Sequence, residues 1–129
     1  MSKNEHVALL QRGAAAWNAW RAEHGEVPDL SGAALRGLGL GGFDLSRADL
    51  RGADLRGTKC ANTDLSGAHL EGANLFKAML DGADLAGAFL FDAQFLNCAQ
   101  LLVARNWQSA FRDDSLGCGA TIPSRPPIG

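Results

Sequence analysis

Leucine returns every five residues through the middle of this 129-residue chain. From Leu30 the register runs through Leu35, Leu40, Leu45, Leu50, Leu55, Cys60, Leu65, Leu70, Leu75, Leu80, Leu85 and Leu90 to Phe95, fourteen apolar centres without a break. Five steps along an α-helix rotate about 500°, which leaves each leucine about 140° from the last. Five steps along a strand reverse the face. Neither geometry gives the leucines a common interior. They share one only if the chain turns a corner in every repeat.

The residues around each centre supply such a corner. In the stretch DLSRADLRGADLRG, residues 44 to 57, the unit reads A-[D/N]-L-x-G. Glycine two residues after the centre permits the positive φ that sharp corners need. Alanine two residues before the centre points the same way as the leucine and leaves it room. Coils of this kind stack through backbone hydrogen bonds at a spacing of about 4.8 Å. Cys60 takes an inward centre and is read as a small buried hydrophobe.

The A-[D/N]-L-x-x run over residues 28 to 97 resembles the pentapeptide-repeat family. The resemblance implies a β-solenoid: a right-handed, four-sided β-helix with one repeat per side and twenty residues per turn. Fourteen repeats would make about three and a half coils, roughly 17 Å of rod. Residues 8 to 31, ALLQRGAAAWNAWRAEHGEVPDLS, are similar to a leader helix found before some bacterial repeat blocks. Three segments are expected. Residues 1–27 form an N-terminal amphipathic capping helix and linker, the helix over 4 to 24 carrying Val7, Leu10, Ala14, Trp17 and Arg21 at helical spacing. Residues 28–97 form the repeat block. Residues 98–129 form a C-terminal helix, LLVARNWQSAF at 101 to 111, and a proline-rich tail.

Composition narrows the functional classes. A formal net charge of −2 gives no polybasic signature for nucleic acid or acidic membranes. No apolar run reaches the ~20 residues that span a bilayer, and the N-terminal residues show no secretion signal. Cys60, Cys98 and Cys118 make an odd count without metal-like spacing, so the expectation is a reduced, cytoplasmic protein. His6, His24 and His69 lie in separate segments and are read as surface histidines. GLGLGG at 37 to 42 keeps the five-residue register, so its glycines are corners rather than a phosphate cradle. No catalytic, cofactor or metal residue is expected, and no enzymatic activity.

What remains is surface. Residues twenty apart fall on one side, which stacks Asp44, Asp64 and Asp84 in an acidic column and places Arg36 over Arg56. Exposed acid–base pairs of this sort are worth under about 1 kcal/mol each. Some relatives implied by the resemblance imitate duplex DNA and bind type II topoisomerases such as DNA gyrase. That alternative calls for a dominantly acidic rod, whereas residues 28 to 97 hold nine acids against six bases. Late repeats instead place Phe76, Met79, Phe89, Phe91 and Leu96 at outward positions. A soluble monomer seldom leaves such a patch bare. The helix at 101 to 111 is expected to cover the open core. The remaining apolar residues are expected to form a homodimer or partner surface at the C-terminal end. The resulting expectation is a non-enzymatic protein-binding or scaffold module, with an unidentified protein partner and no direct contact to nucleic acid or membrane.

Overall fold

In the computed structural model, which describes residues 1–126, parallel backbone bridges join Asp29 to Asp49, Ala34 to Asp54, Gly39 to Lys59 and Asp44 to Asp64. The same four positions recur every twenty residues, one per repeat, so each coil has four sides. The sides are shorter than strands: each contributes one isolated bridge before the chain turns. The repeat centred on Leu50 accounts for all five of its N–H groups. Asp49 donates back to the Pro28 carbonyl at 2.9 Å, and Leu50 and Gly52 donate forward to His69 and Glu71 at 2.8 and 2.9 Å. Ala48 closes the preceding turn onto Leu45 at 3.1 Å. The Arg51 N–H, which no coil can reach, goes to the Asp49 side chain at 3.2 Å. The acidic residue of the repeat is therefore a turn element, and Asn74 does the same for Phe76.

All thirteen residues two positions after a centre, from Gly32 to Asp92, have positive φ. Arg47, Asn62, Lys77 and Asp92 accept that conformation without being glycine. It is the third residue of a type II turn, which demands φ > 0. The centres from Leu30 to Leu90 are buried, with Ala48, Ala53, Ala68, Ala73, Ala83 and Ala88 fully enclosed beside them. The axis retains a void of only about 10 Å³. Thr58 and Thr63 replace alanine and satisfy their buried hydroxyls on the carbonyls of Leu55 and Leu40. Cys60 is buried and unpaired, and burial pushes its thiol pKa up.

The fourteenth centre departs from the register. Phe95 has φ 58° and is 65% exposed. It takes a corner conformation only three residues after the corner at Asp92, so its side chain leaves the interior. The bridge pattern nonetheless continues past residue 97. Arg105 pairs with Asp84 and Phe111 with Phe89, at spacings lengthened to 21 and 22. The helix expected over 101 to 111 is replaced by a short α-helix, Cys98–Leu102, and a 3-10 turn, Trp107–Ser109. Leu101, Ala104, Trp107 and Ala110 now point inward.

The single helix expected over 4 to 24 is two, α1 (Lys3–Gln11) and α2 (Ala14–Glu23). Gly13, at φ 104°, separates them. Ser2 and Glu5 form a reciprocal capping box at the start of α1. Side chains of these helices supply the hydrogen bonds that a preceding coil would give. Asn18 accepts from the Asp44 N–H at 2.8 Å and donates to the Gly42 carbonyl at 3.0 Å. Trp17 donates to the Asp44 carbonyl at 2.7 Å, and Arg21 reaches the Asp44 and Ser46 carbonyls. His6 is 1% exposed rather than a surface histidine, because its Nδ1 accepts from the Asp29 N–H at 3.3 Å. The open edge of the first coil, a ready template for mispairing, is thereby occupied on the sides of Asp29 and Asp44.

At the other end, Cys98 and Cys118 form a disulfide with Cα atoms 5.5 Å apart. This corrects the expectation of reduced cysteines and removes the support it lent to a cytoplasmic location. The two are separated by 20 residues, one coil of this fold. Closing a loop of that size is expected to stabilise the protein by about 3 kcal/mol. Urea denaturation with and without reductant, alongside a Cys98→Ser/Cys118→Ser variant, measures the difference. Coincident midpoints would show that the bridge adds nothing. Residues 121–126 of the tail have no regular secondary structure; 127–129 lie outside the described residues.

Candidate interaction surface

The turns decide what the outward side chains are free to do. Asp44, Asp64 and Asp84 do stack in one column. Each carboxylate is occupied by its own corner: Asp44 and Asp64 accept from the N–H and hydroxyl of Ser46 and Ser66, the hydroxyls at 2.6 Å. Asp84 accepts from Ala86 N–H and from Asn106, both at 3.0 Å. The Asn106 bond, helped by Arg105, holds Asp84 below the usual carboxylate range. Arginines close the column at both ends, Arg21 at 3.8 Å from Asp44 and Arg105 at 3.7 Å from Asp84. Asp49 and Asp54 are gripped bidentately by Arg51 and Arg56. The Arg56 contact brings the pKa of Asp54 down to about 2.

The five apolar residues expected to share a surface are divided by the structure. Phe76 and Met79 are exposed, at 45% and 47%. Phe89 is stacked between His69, 4.4 Å away, and Phe111, 5.0 Å away. Phe91 lies under the Arg125 guanidinium at 3.8 Å. Leu96 is partly buried against the core. Three residues that the register did not place outward join the exposed set: Phe95, Leu102 and Val103. Phe95 meets Phe76 edge-on at 5.5 Å. Around the next corner, Met79, Ala99 and Val103 line one shallow groove with Asn97 and Gln100. On the side facing the first coils, Arg36, Arg56, Phe76 and Lys77 line another, whose floor is opened by Gly37 and Gly57. The break of register at Phe95 carries no signal in residue type, since an apolar residue five after Leu90 reads as a centre whether or not the chain turns first.

Among the described residues no group of three His, Cys, Asp or Glu side chains is placed to hold a metal ion. Among the same described residues no helix is long and apolar enough to cross a membrane.

Five-residue corners, coil-to-coil bridges at twenty-residue spacing and an axis of stacked leucines define a β-solenoid built from pentapeptide units. Residues 29–59 and 53–92 match the pentapeptide repeats, in 8 copies. The chain belongs to the pentapeptide-repeat family. It is similar to a pentapeptide repeat protein (Rfr23) from the cyanobacterium Cyanothece 51142, of known crystal structure, at 27% identity. That match covers 73% of this chain and 66% of the other, with a TM-score of 0.26. No curated protein matches significantly.

Proposed function

We propose that this protein acts as a non-enzymatic binding or scaffold module that holds a protein partner at the C-terminal end of its solenoid. The reading takes the rod to be the right-handed, four-sided β-helix of about three and a half coils that the family implies, with α1 and α2 as its cap. The observation that carries it is the placement of exposed apolar side chains. Apart from Met1 and Val27, every large exposed hydrophobic residue found among the described ones lies at this end: Phe76, Met79, Phe95, Leu102 and Val103. Bare apolar surface of that kind marks interaction sites. The arginines at both ends of the acidic column, and six bases set among nine acids over residues 28 to 97, weigh for protein binding over the DNA-mimic alternative, which calls for a dominantly acidic rod.

Phe76→Ser/Phe95→Ser tests it. Neither side chain fills the core, so the variant is expected to keep its thermal transition within a few degrees, as surface changes do. It is expected to lose the partner captured by the native protein, or to pass from dimer to monomer by light scattering. Identical capture and identical mass for both proteins would sink the reading.

A further inference from the structure

The charges of the solenoid are unevenly distributed around it. The side centred on Leu30, Leu50, Leu70 and Leu90 carries four acids against Arg51, and the side centred on Leu45, Leu65 and Leu85 carries three acids against Arg47. The side centred on Leu40, Cys60 and Leu80 carries one of each sign. Only the side centred on Leu35, Leu55 and Leu75 is net basic, with Arg36, Arg56 and Lys77 against Asp54. An overall charge of −2 therefore conceals one cationic face. That face is also the one that presents Phe76, with Phe95 against it.

The cations there are available. Asp54 neutralises Arg56, but Arg36 and Lys77 are exposed and make no ion pair among the described residues. The Lys77 ammonium stands 5.3 Å over the Phe76 ring. Charge and apolar surface thus meet in one open groove.

We propose that this face takes an acidic segment of a partner protein that carries apolar side chains between its carboxylates. This rests on the protein-binding reading above and adds the chemistry of the partner. Apolar surface alone would accept any hydrophobic segment; the flanking cations select an acidic one, chiefly by steering and by excluding basic competitors. A nucleic acid is a poorer occupant, because two free cations release few counterions and one of the two adjoining sides is acidic. A second copy of this chain is poorer too. Its acidic sides hold no large hydrophobic residue among the exposed ones, so they would offer charge without an apolar anchor.

The probe is a short fluorescein-labelled peptide with leucines set among glutamates, read by anisotropy. Two counterparts replace glutamate by lysine and leucine by serine. The glutamate–leucine peptide is expected to bind at least about tenfold more tightly than either. Arg36→Glu/Lys77→Glu is expected to weaken it by about tenfold or more, while the same charge reversal at Arg47, on an acidic side, leaves it unchanged. Circular dichroism of each variant establishes that the solenoid is intact. Equal binding of the lysine peptide, or undiminished binding by Arg36→Glu/Lys77→Glu, overturns the proposal. So does preferential binding to phosphatidylserine vesicles, or a dimer dissociated by the same variant, which would assign the face to a membrane or to a second copy. If Arg36→Glu/Lys77→Glu still captures the partner that Phe76→Ser/Phe95→Ser loses, protein binding stands and the acidic partner is refuted. If the native protein captures nothing yet binds the glutamate–leucine peptide through Arg36 and Lys77, the acidic specificity stands and the broader reading fails in the cell tested.

Discussion

Leu65→Ala is expected to destabilise the protein by about 4 kcal/mol, toward the upper end of what buried leucine truncations cost. Leu65 is buried between Leu45 and Leu85 of the adjoining coils. In many cores a truncated site relaxes because a neighbouring element moves in. Here the coil spacing is set by backbone hydrogen bonds on either side of the gap. Leu45 N–H donates to the Asp64 carbonyl at 2.8 Å, and Leu65 N–H to the Asp84 carbonyl at 2.9 Å. Closing the cavity would break those bonds, so it stays open and the full penalty remains. Asp64→Ala is the internal comparison. It removes the acceptor for Ser66 N–H and hydroxyl, in a half-exposed position where water can replace it, and about 1 kcal/mol is expected. Chemical denaturation of the two variants distinguishes them. Equal losses would mean that Leu65 is not the inward residue of its repeat.

The interior was legible in the sequence because one residue type answers one geometric demand. Leucine at the centre, alanine before it and glycine after it each have a single place in a chain that turns every five residues. The same logic failed at Phe95. A register counts residues, and it cannot see that an extra corner has turned an apolar position outward. Gly13 was visible too, but the apolar spacing of Val7, Leu10, Ala14 and Trp17 runs straight through it and gives no sign that the helix breaks there. The disulfide is not legible in an odd cysteine count. Cys98 and Cys118 lie 20 residues apart, but beyond the leucines the paired residues are 21 and 22 apart, so the frame of the repeats does not by itself bring the two together.

The surface was legible only in part, for a related reason. Outward direction follows from position in the repeat, as it does for Phe89 and Phe91. Exposure depends on what else arrives. Phe111 and Arg125, from beyond the repeats, cover those two rings. The acidic column looked like free charge because a sequence shows a carboxylate without the N–H it accepts from. Once the corner needs an acceptor for the residue after each centre, aspartate at that position has a structural cause.

Arg112 gave no local signal at all, and it carries the other large expected effect. It is 2% exposed and has no carboxylate partner among the described residues. Its fork donates instead to six carbonyls: Leu116 at 2.7 Å, Ala110 at 2.9 Å, Gln108 at 3.0 Å, and Trp107, Gly117 and Ala120 at 3.3 Å. The guanidinium also faces the Trp107 ring at 5.2 Å. Burial pushes its pKa down, yet a guanidinium keeps its charge in any protein setting. Two effects oppose one another. Taking the cation out of water costs several kcal/mol, which an apolar replacement would recover. Losing it strands carbonyls of residues 107 to 120, each worth about 1–3 kcal/mol when buried without a donor. Six acceptors against one cation decide the sign, and Arg112→Met is expected to lose about 4 kcal/mol. Arg112→Lys keeps the charge but cannot fork, so it is expected to recover less than half of that loss. Because Cys118 lies within the segment the arginine gathers, Arg112→Met and Cys98→Ser/Cys118→Ser should be strongly non-additive: once either anchor is gone, the other has less ordered chain left to hold. A double-mutant cycle by urea denaturation measures this. An Arg112→Met protein as stable as the native one would mean that the desolvation of the cation outweighs its six bonds and that packing alone closes the end of the rod.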